Sequence, residues 1–264
     1  MPHRPRKRFS QNFLIDDGVI DAIVRAVSPS PDDVMVEVGP GLGALTRPLE
    51  KIVRPLHVVE IDRDIVARLH TSFPPGNLVI HEGDALEFDF ASLGPGLRIV
   101  GNLPYHISTP LLFKFAEVAP QLGDVHIMLQ SEVVERMVAA PASSEYSRLS
   151  VMLQYRFEME KVLEVPADAF RPAPKVESAV IRMIPRRDDK PRARDERLFE
   201  ETVRTAFSQR RKTLRNTLGS ILAPSDFAAL DIDPQARAQT LSVVQFVKIA
   251  DYRARERSGR RSDQ

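Results

Sequence analysis

The 264-residue sequence predicts an α/β fold, a parallel sheet with helices on both faces followed by a small helical domain. Three observations carry this. Short β-branched runs alternate with helix-like stretches through the first two thirds of the chain. The alternation stops at a charged, proline-flanked segment, residues 185–194 (PRRDDKPRAR). Beyond it, apolar residues recur at helical spacing instead.

Taken in order, residues 16–27 carry Val19, Ile20, Ile23, Val24 and Val27 on one helical face. Runs 34–38, 56–61, 77–81, 98–101 and 125–129 read as strands, with helices expected over 45–52, 64–72 and 108–118. Two late runs, 157–165 and 176–184, are separated by a turn-rich insert rather than a helix. They are expected as an antiparallel pair at the sheet edge. After the linker, Val203, Phe207, Leu214, Leu218 and Ile221 share one face if 203–218 is a continuous helix. The expected organisation is an N-terminal arm over 1–15, a sheet domain over 16–185 and a helical domain over 186–264.

Composition narrows the function. Apolar residues make up 43% of the chain, enough for a core, and 28% are charged, so global disorder, collagen and coiled coil are excluded. With no cysteine, a disulfide framework, a thiolate zinc site and a thiol nucleophile are excluded as well. The six histidines show no metal-ligand spacing, so no metal is expected. No apolar run approaches a membrane span, and the basic first eight residues lead into no apolar segment of a secretory signal. A soluble, cytoplasmic, monomeric protein is expected.

The net charge of +1 conceals an asymmetry. The first eight residues carry +4, residues 186–264 carry +6, and residues 9–185 carry −9. Two basic ends could hold a polyanion that the acidic middle could not.

The run at 34–38 leads into Gly39-Pro-Gly41-Leu-Gly43-Ala44. Glycines at such a turn let backbone N–H groups approach a ligand at a helix N-terminus. Glu60 stands 21 residues after Gly39, at the end of the next strand, where an acid takes up ribose hydroxyls. The pattern points to an adenosine-containing cofactor. It leaves NAD and S-adenosylmethionine both open, because Ala44 also completes a dinucleotide fingerprint. Glu37, just before the turn, suits a cationic or amino-bearing ligand better than a pyrophosphate. Asp84, after the third strand, is placed either to accept from an adenine amino group or to cap a helix.

Asn102-Leu103-Pro104-Tyr105 follows the fourth predicted strand. An Asn amide oxygen and a neighbouring carbonyl can both accept from an NH2 group, and a tyrosine offers a flat face, which together make a receptor for a planar aromatic amine. The longer string from Asn102 to Phe113 (NLPYHISTPLLF) resembles the rRNA adenine N6,N6-dimethyltransferases. So do Arg8 to Leu14 (RFSQNFL), Glu37 to Thr46 (EVGPGLGALT), Phe170 to Ser178 (FRPAPKVES) and Ala206 to Leu218 (AFSQRRKTLRNTL). The resemblance is greatest to the small-subunit branch of that family, which dimethylates two adjacent adenines near the 3′ end of 16S rRNA. One departure is Ser10, where the family usually has Gly.

The resemblance implies a Rossmann-like S-adenosyl-L-methionine-dependent methyltransferase sheet acting on 16S rRNA in the small ribosomal subunit. It implies that Asn12 and Leu14 close over the cofactor, Gly39 and Gly41 line its methionine end, Glu60 holds the ribose, and Asp84 and Ala85 meet the adenine. Asn102 would stand at the junction with the substrate, with Leu103, Pro104 and Tyr105 completing the turn. Phe170 would be a second aromatic wall facing Tyr105 across the target base. Arg6, Lys7, Arg8, Lys175, Arg204, Arg210, Arg211, Lys212 and Arg215 are the expected RNA contacts. Three rivals remain: a large-subunit rRNA methyltransferase, an NAD-dependent oxidoreductase, and a non-catalytic assembly or transcription factor on the same scaffold.

Overall fold

A computed structural model describes residues 12–187 and 192–262. The chain divides into two compact units. The first runs to Val134 and resumes over Arg156–Pro185; the second takes Glu135–Tyr155 and everything from Arg186 onward.

The first unit opens with a short strand, β1 (Phe13–Leu14), and helix α1 (Asp17–Val27). The Asp16 carboxylate accepts from the Val19 amide at 2.9 Å, satisfying one of the free N–H groups at the helix start. Strands β2 (Met35–Val38), β3 (Leu56–Glu60), β4 (Leu78–Glu82), β5 (Leu97–Asn102) and β6 (Leu122–Gln130) follow. Between them lie α2 (Thr46–Leu49), α3 (Arg63–Ser72) and α4 (Ser108–Val118). After α5 (Ser131–Val138) and α6 (Arg148–Arg156) come β7 (Phe157–Val165), β8 (Phe170–Arg171) and β9 (Ser178–Pro185). The helix expected over 45–52 is reduced to the four residues of α2. Gly43, with φ +86°, leads into it in a conformation no helix interior adopts.

The described residues form a seven-stranded sheet of order β4-β3-β2-β5-β6-β9-β7. The first five strands are parallel, and β9 and β7 close one edge antiparallel, Met183 lying opposite both Val125 and Met159. Parallel strands covered on both faces must be apolar on both, which is why Met35, Val36 and Val38 are all buried. From β2 the chain steps outward to β3 and β4, then returns to place β5 on the other flank of β2. That reversal leaves a crevice at the carboxyl ends of β2 and β5. The two strands approach so closely that a Cβ on Gly101 would lie 2.4 Å from the Val38 carbonyl oxygen. At the opposite end of β5, Arg98 pairs with Asp33 at 2.5 Å and Asp124 at 2.9 Å, and donates to the Val27 carbonyl at the end of α1.

The second unit contains α5 from Glu135 onward, α6 up to Tyr155, α7 (Glu196–Ala206), α8 (Leu214–Leu218), α9 (Pro224–Ala229) and α10 (Val243–Ser262). The sequence predicts one domain over 16–185. The structure instead gives Glu135–Tyr155 to the helical unit, because Tyr146, Val151 and Tyr155 share a buried cluster with Phe199, Val203, Leu214 and Phe246. The continuous helix expected over 203–218 is also absent. The chain turns between α7 and α8, and the Leu214 amide donates to the Ala236 carbonyl at 2.8 Å instead of continuing a helical ladder. No helix among the described residues is long and apolar enough to cross a membrane.

Candidate active site

A cavity of ≈ 240 Å³ opens at the crevice where β2 and β5 part. Five segments wall it: β1, the β2–α2 turn, the end of β3, the turn after β4 and the turn after β5. Asn12, Leu14, Gly39, Gly41, Glu60, Asp84, Ala85, Asn102, Leu103, Pro104 and Tyr105 all line it. Glu37, Phe13 and Ile61 line it too.

The glycine turn is shaped by its neighbours. Gly39 and Gly41 have φ +69° and +54°, and a Cβ on Gly41 would press on the Phe13 ring at 3.3 Å. Glu60 lines the cavity beside the same turn, and its carboxylate accepts from the backbone amide of Asp62 at 2.8 Å. Burial nevertheless raises the Glu60 carboxyl above its ordinary range.

Glu37, two per cent exposed on β2, is the acid whose place before the turn suits a cationic or amino-bearing ligand. Its Oε2 is buried and has no hydrogen-bond partner among the described residues. Burial pushes its carboxyl up to about 7, and the negative charge of Glu60 acts in the same direction. A buried acceptor left open in a cavity wall fits a ligand that brings an N–H or O–H donor. Its signal in the sequence is an acid two residues before Gly39, which favours an amino-bearing ligand over a pyrophosphate without naming the atom it meets.

After β5 the chain turns sharply. The Leu103 amide donates to the Met128 carbonyl at 3.2 Å, and the Ile107 amide to the Pro104 carbonyl at 3.1 Å. The Asn102 side chain donates through Nδ2 to the Asn12 carbonyl at 3.2 Å, which turns its Oδ1 the other way. Asp84 accepts from the Leu86 amide at 2.9 Å and starts a turn, with no helix behind it to cap.

Phe170 departs from its expected place. Expected as an aromatic wall facing Tyr105, it is three per cent exposed and does not line the cavity. Its backbone pairs with Leu14 across the two-stranded β1–β8 sheet, and its ring joins the buried cluster that contains Leu14, Val165 and Ala169.

Of the expected RNA contacts, Arg6, Lys7 and Arg8 lie outside the described residues. Lys175 is exposed between β8 and β9 in the first unit. In the second unit Arg204, Arg210, Arg211, Lys212 and Arg215 are exposed, and the Arg210 guanidinium donates to the Ser144 carbonyl.

A family model for ribosomal RNA adenine dimethylase matches residues 2–255. The chain belongs to the ribosomal RNA adenine dimethylase family. Similar members of this dimethylase family include the ribosomal RNA small subunit methyltransferase A of Thiobacillus denitrificans, 60% identical over 252 residues, covering 96% of this chain and 99% of that one. The protein of the same name from Nitrosospira multiformis is 58% identical over 259 residues, covering 98% and 100%. Among solved structures, a dimethyladenosine transferase from Plasmodium falciparum is 26% identical with TM-score 0.76, covering 90% of this dimethylase and 95% of that chain. A 23S rRNA methyltransferase shares the fold at TM-score 0.71 and 24% identity, covering 91% and 98%.

Proposed function

We propose that this chain transfers methyl groups from S-adenosyl-L-methionine to N6 of two adjacent adenines near the 3′ end of 16S rRNA, giving N6,N6-dimethyladenosine. It is an S-adenosylmethionine-dependent rRNA adenine dimethyltransferase, acting in the cytoplasm on the small ribosomal subunit or its precursor. The observation that carries the reading is the Asn102–Tyr105 turn closing the cavity, with the Asn102 amide held so that its oxygen is free to accept. Near-full-length likeness to small-subunit methyltransferases supports the choice of subunit.

Bound S-adenosylmethionine supplies a methyl group on a positively charged sulfur, already a strong electrophile. The protein supplies alignment and charge stabilisation. Glu60 takes the ribose hydroxyls, Asp84 and Ala85 the cofactor adenine, and Gly39 and Gly41 flank the methionine end, where the open oxygen of Glu37 meets the amino group. Adenine N6 is a weak nucleophile because its lone pair is delocalised into the ring. Asn102 Oδ1 and the Leu103 carbonyl accept its two hydrogens, favour a pyramidal nitrogen and stabilise the positive charge that develops there. Holding N6 in line with the methyl group removes up to ~7–11 kcal/mol of barrier in favourable cases. The methylated nitrogen is acidic enough to lose its proton without a strong base. A stacked adenine is out of reach, so the base is extruded and lies against the Tyr105 ring. Lys175 and the basic residues of the arm and the second unit meet RNA phosphates.

The test is incubation with labelled S-adenosylmethionine and undermethylated small subunits. Two dimethyladenosines near the 16S 3′ end are expected. Label confined to large-subunit RNA, or no label at all, would overturn the reading.

A further inference from the structure

The string from Phe170 to Ser178 ends in a residue that the proposed chemistry leaves without a role. Ser178 opens β9 and is one per cent exposed, and its Oγ lies 2.8 Å from the Tyr105 hydroxyl. At the other end of the same tyrosine, Ser108 Oγ, three per cent exposed, donates to the Tyr105 carbonyl at 2.9 Å. Two buried serines, from the first positions of α4 and β9, thus fix the tyrosine at its backbone and at its tip.

Ser178 is itself immobilised. It lies opposite Gln130 on β6 and Val165 on β7, and the Ser131 amide donates to the neighbouring Glu177 carbonyl at 3.0 Å. The residues that follow, Ala179, Val180 and Ile181, are buried and apolar. A hydroxyl at such a position costs stability unless it is hydrogen-bonded, and packing alone would be served by alanine. Tyr105, being only partly buried, could have taken water as its partner; instead its hydroxyl meets a group anchored in the sheet. A side chain held at its backbone and at its hydroxyl has one χ1 rotamer and one direction for the long axis of its ring.

We infer that Ser178 is a positioning residue for methyl transfer, fixing where the Tyr105 ring stands against the target adenine that stacks on it. The inference rests on the proposed function, in which Tyr105 is the stacking face. Stacking on a wandering ring would leave N6 off the transfer line, and misplacement of this kind costs rate more than it costs binding.

The experiment is a double-mutant cycle on Ser178→Ala and Tyr105→Phe, read as single-turnover methyl transfer to saturating undermethylated small subunits. Each single variant is expected to be slower by roughly ten- to a hundredfold. The double variant should be no slower than the worse single within about twofold, because both remove the same hydrogen bond. Ser178→Thr, which keeps the hydroxyl, should restore most of the rate, and S-adenosylmethionine affinity by calorimetry should be unchanged in all of them. Additive losses, a normal rate for Ser178→Ala, or a cofactor affinity that falls with the rate would overturn the inference. If the wild-type chain methylates no small subunit, the proposed function fails. The positioning claim is then decided by crystal structures of the wild type and of Ser178→Ala, where the Tyr105 side chain should leave its rotamer or spread over more than one, and an unmoved side chain refutes it.

Discussion

The Asn102 side-chain amide donates to the Asn12 carbonyl at 3.2 Å, joining two cavity-lining residues 90 positions apart. The bond selects one of the two orientations open to that amide. The nitrogen is committed to the arm, so the oxygen is the atom left for a substrate amine.

The first prediction follows from that orientation. Asn102→Asp replaces the donor with a second acceptor facing the Asn12 carbonyl and should slow turnover by roughly a hundredfold or more, as loss of a group that stabilises developing charge does. Affinity for small subunits should stay nearly as it was, because the interaction strengthens only as N6 becomes positive. Single-turnover rates beside filter-binding affinities separate the two. Normal turnover in this variant would remove Asn102 from the chemistry.

Glu60 is the second. Glu60→Ala should weaken S-adenosylmethionine binding by about 1.5–3 kcal/mol for each charge-assisted hydrogen bond removed. Calorimetry on the folded variant checks it, and unchanged affinity would move the ribose elsewhere.

A third prediction concerns pH. Burial holds the Glu37 carboxyl at about 7, above its ordinary 4.5, so the proton is bound more tightly in the folded chain than in the unfolded one. The stability this confers is complete below about pH 4.5 and is lost as pH rises through about 7. Glu37→Gln cannot ionise. In the absence of ligand it should match the wild type near pH 4 and exceed it at pH 8, by ~3 kcal/mol at most. Melting of both proteins across that range is the measurement, and a wild-type advantage that grows with pH would reverse the argument.

The fourth prediction lies in the turn between α7 and α8. Arg211→Glu together with Lys212→Glu should lower affinity for the small subunit and flatten its salt dependence, by roughly one unit of slope for each phosphate no longer neutralised. S-adenosylmethionine affinity should not change. An unaltered salt slope would mean that these side chains touch no phosphate.

Much of the fold was legible because strands of a doubly covered parallel sheet announce themselves as apolar runs, and the ends of those runs located the glycine turn, Glu60 and Asn102. The failures share a different cause. Phe170 reads as an available aromatic until its backbone pairs with Leu14, far away in sequence, and that pairing turns the ring into the core. The spacing of Val203, Phe207, Leu214 and Leu218 is helical, yet the amide that would extend the helix at Leu214 is claimed by Ala236. Tyr146 and Tyr155 lie among sheet residues in the sequence but find their apolar partners in the helical unit. Each outcome is decided by an interaction between distant segments, which local periodicity does not record.

The excursion of Glu135–Tyr155 makes both units discontinuous along the chain rather than strung in series. The polypeptide leaves the sheet unit, returns to lay down β7 and β9, and leaves again. On the ribosome, Tyr146, Val151 and Tyr155 emerge well before Phe246 and Val247, which share their cluster. With roughly 100 residues still to be made at ~5–20 residues per second, those side chains stay uncovered for several seconds to some twenty seconds. Cutting the gene after Pro185 would make that interval permanent. The product would be a nearly complete sheet unit with a looped-out segment whose apolar face is left without partners. The helical unit is therefore a condition for isolating the sheet unit in clean form, and a minimal catalytic fragment would have to delete the excursion as well as the C-terminus.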